Sequence, residues 1–388
     1  MLKLHKLFGE QITHSFDHQL TPTVDQRKYL ISCKNKIRDH LRKEIEAATV
    51  LRLGMDRQVT PRFRTQGSWS YGTCVQPAQH PPQEMDWDFG VYLPVTVWED
   101  NGPPHAMAKL YFELVEQLLQ SLCEQEKWSL VPGKDTCIRV KVASWSHIDV
   151  PLYAAPENQF VQIMEKAVAL SSRGIAMDSA DLSESFVAGE MKAQLWEDME
   201  SIMLATRKGE WKESDPEAVT RWVNDRIAEY GDQLIRVWRY IKAWRDFHWK
   251  EGGPSSVCLM IAIAQNFQAQ RGRDDLAVEM TAKHLSNALL SEICEIAIDD
   301  NSEDFNRLDQ SGRQLASEKA SELQSSIFRA RTFHWNLKSN AIDSLRQVLG
   351  PRIPDDQSLI EQDTSAESIR NAEAKQVKRP VVLATQAG

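Results

Sequence analysis

Apolar residues recur at three- and four-residue spacing across residues 23–55. Tyr29, Leu30, Cys33, Ile37, Leu41, Ile45 and Ala48 carry the period, with Lys, Arg and Glu between them. That pattern predicts an amphipathic helix, and Gly54 is a natural stop for it. From about residue 61 to 154 the period shortens. PRFRTQ, WDFGVYLPVTVW, TCIRVKV and HIDVPLYAA read as short strands, parted in places by Gly- and Pro-rich joints such as QPAQHPPQ and NGPP. Among them lies a second helical period, Met107, Leu110, Tyr111, Leu114, Val115, Leu118 and Leu122. Strands mixed with helices predict a sheet covered by helices.

From about residue 157 the pattern is almost wholly helical. Its clearest stretch opens with Ser214 as a cap, Pro216 near the first turn and Glu217 three after the serine. Val237, Tyr240, Ile241 and Trp244 then form an apolar stripe. Gly252 to Pro254 break that helix, and SSVCLMIAIAQNF opens another. Residues 351–388 are mostly polar, end in a short apolar patch, and read as a mobile tail. The chain shows no internal repeat.

Composition narrows the function classes. With 388 residues, 42% hydrophobic and 26% charged, the chain has an ordinary globular mixture that excludes wholesale disorder, collagen and coiled coil. Its net charge of −9 argues against tracking long nucleic acid, which usually needs a basic excess. The cysteines Cys33, Cys74, Cys123, Cys137, Cys258 and Cys294 form no CxxC pair, and no histidine pair has metal-finger spacing. They suit buried free thiols in a reducing compartment. No run approaches the ~20 apolar residues of a membrane helix, and the N-terminus lacks a signal core. A soluble, cytoplasmic protein is expected.

Four features carry candidate chemistry. Gly67-Ser68 ends a predicted strand, where glycine permits close backbone approach and serine offers a hydroxyl and an N–H to phosphate; a plain strand-to-helix turn has the same look. Asp86 and Asp88 alternate with Trp87, so on a strand they project to one side. Such a pair is either a solvated edge or a seat for a hard cation such as Mg²⁺. Asp149 lies in an apolar strand of its own, where a buried acid needs a partner. Beside the pair it would complete a two-metal site for in-line phosphoryl chemistry. In the helical half, Lys242 offers a point charge to a triphosphate, and Ser255-Ser256 stand at a helix start.

Gly-Ser, then D-x-D, a third strand aspartate, and Lys and Ser in a helical second half is the order of the polymerase-β-like nucleotidyltransferases. Over roughly residues 60–265 the chain resembles the bacterial CD-NTases (cGAS/DncV-like nucleotidyltransferases), and within them the DncV-type dinucleotide synthases. TPRFRTQGSWSYGT, PPQEMDWDFGVYLP, TCIRVKV with HIDVPLYA, EWKESDP and KAWRDFHWKEGGPSSVCLM carry the likeness. The resemblance implies an α+β fold: a polymerase-β-like nucleotidyltransferase lobe with a twisted mixed sheet, a helical C-terminal lobe, and a cleft between them. The expected divisions are an N-terminal helical region at 1–60, the nucleotidyltransferase core at 61–205, the helical lobe at 206–350 and the tail at 351–388.

By the same resemblance, Asp86, Asp88 and Asp149 are metal-binding catalytic carboxylates holding two Mg²⁺, with Mn²⁺ as a substitute. Asp149 would serve as base or orienter for an attacking 3′-hydroxyl. Gln66, Gly67, Ser68, Tyr71, Arg139, Ser214, Lys242 and Ser256 are implied nucleotide contacts, though capping explains Ser214 equally well. A late acidic contact is expected in DDNSEDFNRLD, at Asp304. The implied activity is template-independent joining of ATP and GTP into 3′,3′-cyclic GMP-AMP, a second messenger that switches on an effector in anti-phage defence. The alternatives are a different cyclic or linear oligonucleotide, or a silent nucleotide-binding scaffold. No double-stranded DNA activation is implied, because the zinc insertion of the animal DNA sensors is missing. Gly388, at the end of an extended tail, suggests conjugation by a ubiquitin-activating/conjugating-like partner, against an ordinary frayed end. One departure from the family is Phe89, directly after the D-x-D, where related chains carry an acid.

Overall fold

The computed structural model describes residues 1–9, 13–96, 103–160, 202–298 and 303–362. Its first residues fold onto distant sequence. Strand β1 (Leu2–Lys3) is followed by two short helices, α1 (His5–Phe8) and α2 (Phe16–Leu20). Leu2, Leu4, Leu7, Phe8, Phe16 and Leu20 are buried in the same core as the C-terminal helices. The Leu4 N–H donates to Asp275 Oδ2 at 2.9 Å. Residues 1–60 are therefore not one region, because the first twenty belong to the helical lobe.

Helix α3 (Val24–Leu53) is the long helix expected from the period. Thr23 caps it reciprocally: Thr23 Oγ1 accepts from the Gln26 N–H, and the Thr23 N–H donates to Gln26 Oε1. Gly54 closes it at φ +69°, the left-handed conformation that glycine adopts without strain. Leu30, Cys33, Ile37, Leu41, Ile45 and Leu53 face the sheet.

The sheet is built from β2 (Arg62–Gln66), a single helical turn α4 (Gly67–Ser70), β3 (Met85–Val95), helix α5 (His105–Glu126), and then β4 (Ser129–Val131), β5 (Ile138–Ala143), β6 (Ser146–Val150), β7 (Leu152–Pro156), β8 (Met203–Ala205) and β9 (Trp211–Glu213). Strand β3 runs antiparallel to β2 and parallel to both β6 and β7. Pro151 separates β6 from β7 because it has no N–H to give the ladder, and its carbonyl accepts from Val91 instead. Strands β5 and β8 flank β6 and β7 antiparallel, with β4 and β9 outside them. Strands β8 and β9 fall where the sequence reads as helix.

The helical lobe holds α6 (Pro216–Tyr230), α7 (Asp232–His248), α8 (Ser256–Ala264), α9 (Asp274–Ala288), α10 (Gln310–Thr332) and α11 (Lys338–Leu349). The stretch read as one helix divides at Gly231, φ +74°. Its cap is Asp215 rather than Ser214: the Asp215 carboxylate accepts the N–H groups of Glu217 and Ala218. Aspartate there answers the exposed donors and the helix dipole together. The apolar stripe Val237, Tyr240, Ile241 and Trp244 is fully buried.

Residues 351–362 correct the reading of a tail from 351. Strand β10 (Glu361–Gln362) pairs with β1, and Ile353 and Ile360 are buried in the helical core. Ile360→Ala is expected to cost about 2–4 kcal/mol, as buried Ile-to-Ala changes do. Urea denaturation measures this; a loss under about 0.5 kcal/mol, the level of an exposed site, would contradict the packing.

Candidate active site

Pairing register gathers the candidate residues on one face of the sheet. Between β3 and β6, Asp86 stands opposite His147 and Asp88 opposite Asp149. Between β5 and β6, Arg139 stands opposite Asp149 and Lys141 opposite His147. Strand β2 sets Gln66 opposite Asp88 and Arg64 opposite Gly90. Directly paired residues share a face, so acids, histidine and cations form one patch. The alternate residues Trp87, Phe89 and Val91 enter the apolar core. Lys34 of α3 lies over the Trp87 and Phe89 rings at 5.5 and 5.8 Å, and Phe89 stacks on Phe63. Phe89 thus points away from the carboxylates.

The three aspartates differ in environment. Asp86 is exposed, Asp88 half-buried and Asp149 buried. Burial, then the charges of Asp86 and Asp149, push Asp88 up to about 7. Burial alone would raise Asp149 as well. Arg139 outweighs it, with Nε and Nη2 donating to Oδ1 and Oδ2 at 2.7 Å each, and holds that carboxyl below its usual range. Behind them, Glu84 accepts from Lys141 Nζ at 2.5 Å and pairs with His147 Nδ1 at 3.0 Å.

Gly67 cannot be replaced locally. Its φ is +63°, and a Cβ there would sit 2.0 Å from Asp88 Oδ2. The turn it starts is pinned over β3: Trp69 Nε1 donates to the Asp86 carbonyl at 2.8 Å, and the Trp69 and Trp87 rings stack at 4.3 Å. The Ser68 carbonyl accepts from the N–H groups of Thr73 and Cys74. Gln66 is buried, donating to Tyr92 Oη at 2.7 Å and accepting from Tyr153 Oη at 3.4 Å. Both ends of its amide are taken, so it sets the start of the turn from beneath. A Cβ at Gly90 would lie 2.9 Å from Gln66 Oε1 and 3.0 Å from each tyrosine ring. Gly90, Tyr92, Tyr153 and Trp69 escaped the sequence reading; a lone glycine within a strand pattern was the available signal for Gly90.

The other expected contacts fall as follows. Lys242 is buried, donates to the Thr73 carbonyl at 2.8 Å, and has its pKa lowered by burial. It is close enough to Asp86 and Asp88 to couple to both charges. Tyr71 is pushed up to about 12, chiefly by burial. Ser255 caps α8 through the Cys258 N–H, and Ser256 begins that helix with Arg245 at 3.4 Å from its Oγ. Ser214 donates its N–H to the Ile202 carbonyl. Asp304 accepts from the N–H groups of Ile293 and Asn306 and from Arg313. Gly388 lies outside the described residues.

Asp86, Asp88 and Asp149 offer only oxygen donors, the set that hard divalent cations take. As they stand, no three His, Cys, Asp or Glu side chains among the described residues are arranged to hold a metal ion. Both Asp149 oxygens face Arg139 instead. A cation between Asp86 and Asp88 would offset the burial and the repulsion that together raise Asp88, so the residues fit such an ion. Among the described residues no helix is long and apolar enough to cross a membrane.

The raised Asp88 predicts a pH dependence. From its ordinary value of 3.8 up to about 7, the folded state holds a proton that the unfolded state has released. Metal-free stability should therefore fall as pH rises through that window. Asp88→Asn should flatten that slope, and a divalent cation should raise the wild-type unfolding midpoint more than the variant's. Urea denaturation from pH 4 to 8 measures both; equal slopes would contradict the assignment.

The family model for the nucleotidyltransferase domain of cyclic GMP-AMP synthase DncV-like proteins matches residues 61–153, and the model for the cyclic GMP-AMP synthase C-terminal domain matches 231–362. A cyclic GMP-AMP synthase of Vibrio cholerae serotype O1 is 39% identical over 236 residues, 58% of this chain and 52% of that protein. One from Escherichia coli is 41% identical over 207 residues, 52% of this chain and 46% of that protein. The chain thus spans about half the length of the curated relatives it matches. The crystal structure of Vibrio cholerae DncV cyclic AMP-GMP synthase with the linear intermediate 5′-pppA(3′,5′)pG superposes with TM-score 0.74 at 26% identity, covering 94% of this chain and 99% of that one. A variant of the same di-nucleotide cyclase in complex with ATP and GTP gives 0.75 at 25% identity, covering 94% and 100%. With both domain models matched in order and the aspartates, glycine turn and buried lysine disposed around one sheet face, the chain belongs to the DncV-like nucleotidyltransferase family.

Proposed function

We propose that the protein joins ATP and GTP without a template into a cyclic dinucleotide, 3′,3′-cyclic GMP-AMP. The observation that carries this reading is the register that aligns Asp88 with Asp149, two residues from Asp86 and beside the Gly67 turn. Its support is the company this chain keeps: relatives named cyclic GMP-AMP synthase, and a neighbouring structure that holds a linear pppApG.

The chemistry is two sequential displacements. In each, a ribose 3′-oxygen forms a bond to an α-phosphorus, the bond to pyrophosphate breaks, and the hydroxyl proton leaves. Asp86, Asp88 and Asp149 would hold two Mg²⁺ or Mn²⁺, which when bound neutralise the triphosphate and ease ionisation of the attacking hydroxyl. This chain's own residues do the positioning. Asp149 orients the hydroxyl and takes its proton once its oxygens turn from Arg139. Arg139, so released, is free for a nucleotide. The Gly67 turn lets a triphosphate approach the backbone, and Lys242 adds positive charge from the helical lobe. In the cell, the product is proposed to act as a second messenger that switches on an effector in anti-phage defence.

Asp86→Asn should lower pyrophosphate release from ATP and GTP by about three orders of magnitude, because the catalysis is charge stabilisation and positioning. Its unfolding midpoint should stay near the wild type's, since Asp86 is exposed. A variant that releases pyrophosphate at near the wild-type rate would refute the assignment. Lys242→Met should raise the nucleotide KM more than it lowers kcat, with steady-state kinetics as the check.

A further inference from the structure

Glu217 looks, in the sequence, like the acid of a capping box. The structure gives it no such task, because Asp215 caps α6 alone. The Glu217 side chain is only 1% exposed and meets Arg64 Nη2 at 2.6 Å. Arg64 belongs to β2, two residues before Gln66, and so to the strand that enters the Gly67 turn. The turn leaves through Tyr71, the residue that follows α4. Tyr71 packs against the helical core, while Phe63, on the same strand as Arg64, packs against the sheet core. The helical lobe therefore meets the turn on both sides, through Glu217 where it enters and through the packing of Tyr71 where it leaves.

We infer that Glu217 is a positioning residue for the Gly67–Tyr71 turn, holding it through Arg64 so that the helical lobe fixes where a nucleotide triphosphate is received. The inference rests on the nucleotide-binding reading above. A buried carboxylate deprived of its cation is strongly destabilising, whereas replacing both partners by apolar groups is often tolerated. That difference separates positioning from mere support.

The test is calorimetric binding of a nonhydrolysable nucleoside triphosphate with Mg²⁺ to wild type, Arg64→Met/Glu217→Leu and Glu217→Asp, with thermal unfolding of each. The apolar pair should unfold near the wild-type temperature and yet bind about tenfold more weakly. Glu217→Asp, which keeps the charge but shortens its reach, should fall between. In product assays the apolar pair should raise KM while leaving kcat within a few-fold. A folded apolar variant with wild-type affinity overturns the inference, as does wild-type affinity in Glu217→Asp should the double variant fail to fold. Wild type that binds no nucleotide overturns the nucleotide reading itself, and this inference with it.

Discussion

Two carboxylates directly opposite each other on neighbouring parallel strands set the terms for this site. Asp88 and Asp149 are paired by register, and Asp86 follows on the same face. Like charges so placed repel, and burial at Asp149 leaves that repulsion less screened than in water. The surroundings answer in different ways: Arg139 occupies both oxygens of Asp149, and Asp88 keeps its proton to about pH 7. The backbone beside Asp88 is a glycine at φ +63°, where a Cβ would meet the Asp88 carboxylate. Under the proposed function, a cation and a triphosphate would replace the proton and release the arginine.

The second requirement is that a helical lobe be held against this face. One segment does much of that holding. Residues 73–83 receive Lys242 at the Thr73 carbonyl and Arg352 at the Gln76 carbonyl. They send Gln79 and Gln83 to carbonyls at the end of α7, at Asp246 and Phe247, and at Trp249 just past it. These are the acceptors that a helix end leaves without intrahelical partners. The loop leaving the glycine turn thus doubles as the strap between the lobes.

Sequence pattern made part of this legible. Alternation along Met85–Val95 placed both aspartates on one side, and the helical period located α3 almost to the residue. What stayed hidden was non-local or too short to show a period. Strands of three residues, β4, β8 and β9, carry no alternation to read. The allegiance of the first twenty residues is decided by partners such as Asp275, far away in sequence. Lys242 reads locally as a snorkelling side chain, and only the other lobe's Thr73 explains its burial. Ser214 and Asp215 are adjacent plausible caps, and geometry selects the aspartate. Glu217 shows the same limit: its local signal is a capping box, and its partner lies on a strand from the other lobe.

The measurement that bears most directly on the whole account is mass spectrometry of what the purified chain makes from ATP, GTP, CTP and UTP with Mg²⁺, offered singly and together. The account predicts one dominant product, a cyclic dinucleotide of one adenosine and one guanosine with two 3′,5′ linkages, formed only when ATP and GTP are both present. Nucleotides bound tightly at the site but recovered unchanged would contradict it, and would leave the aspartate face a binding surface rather than a catalytic one.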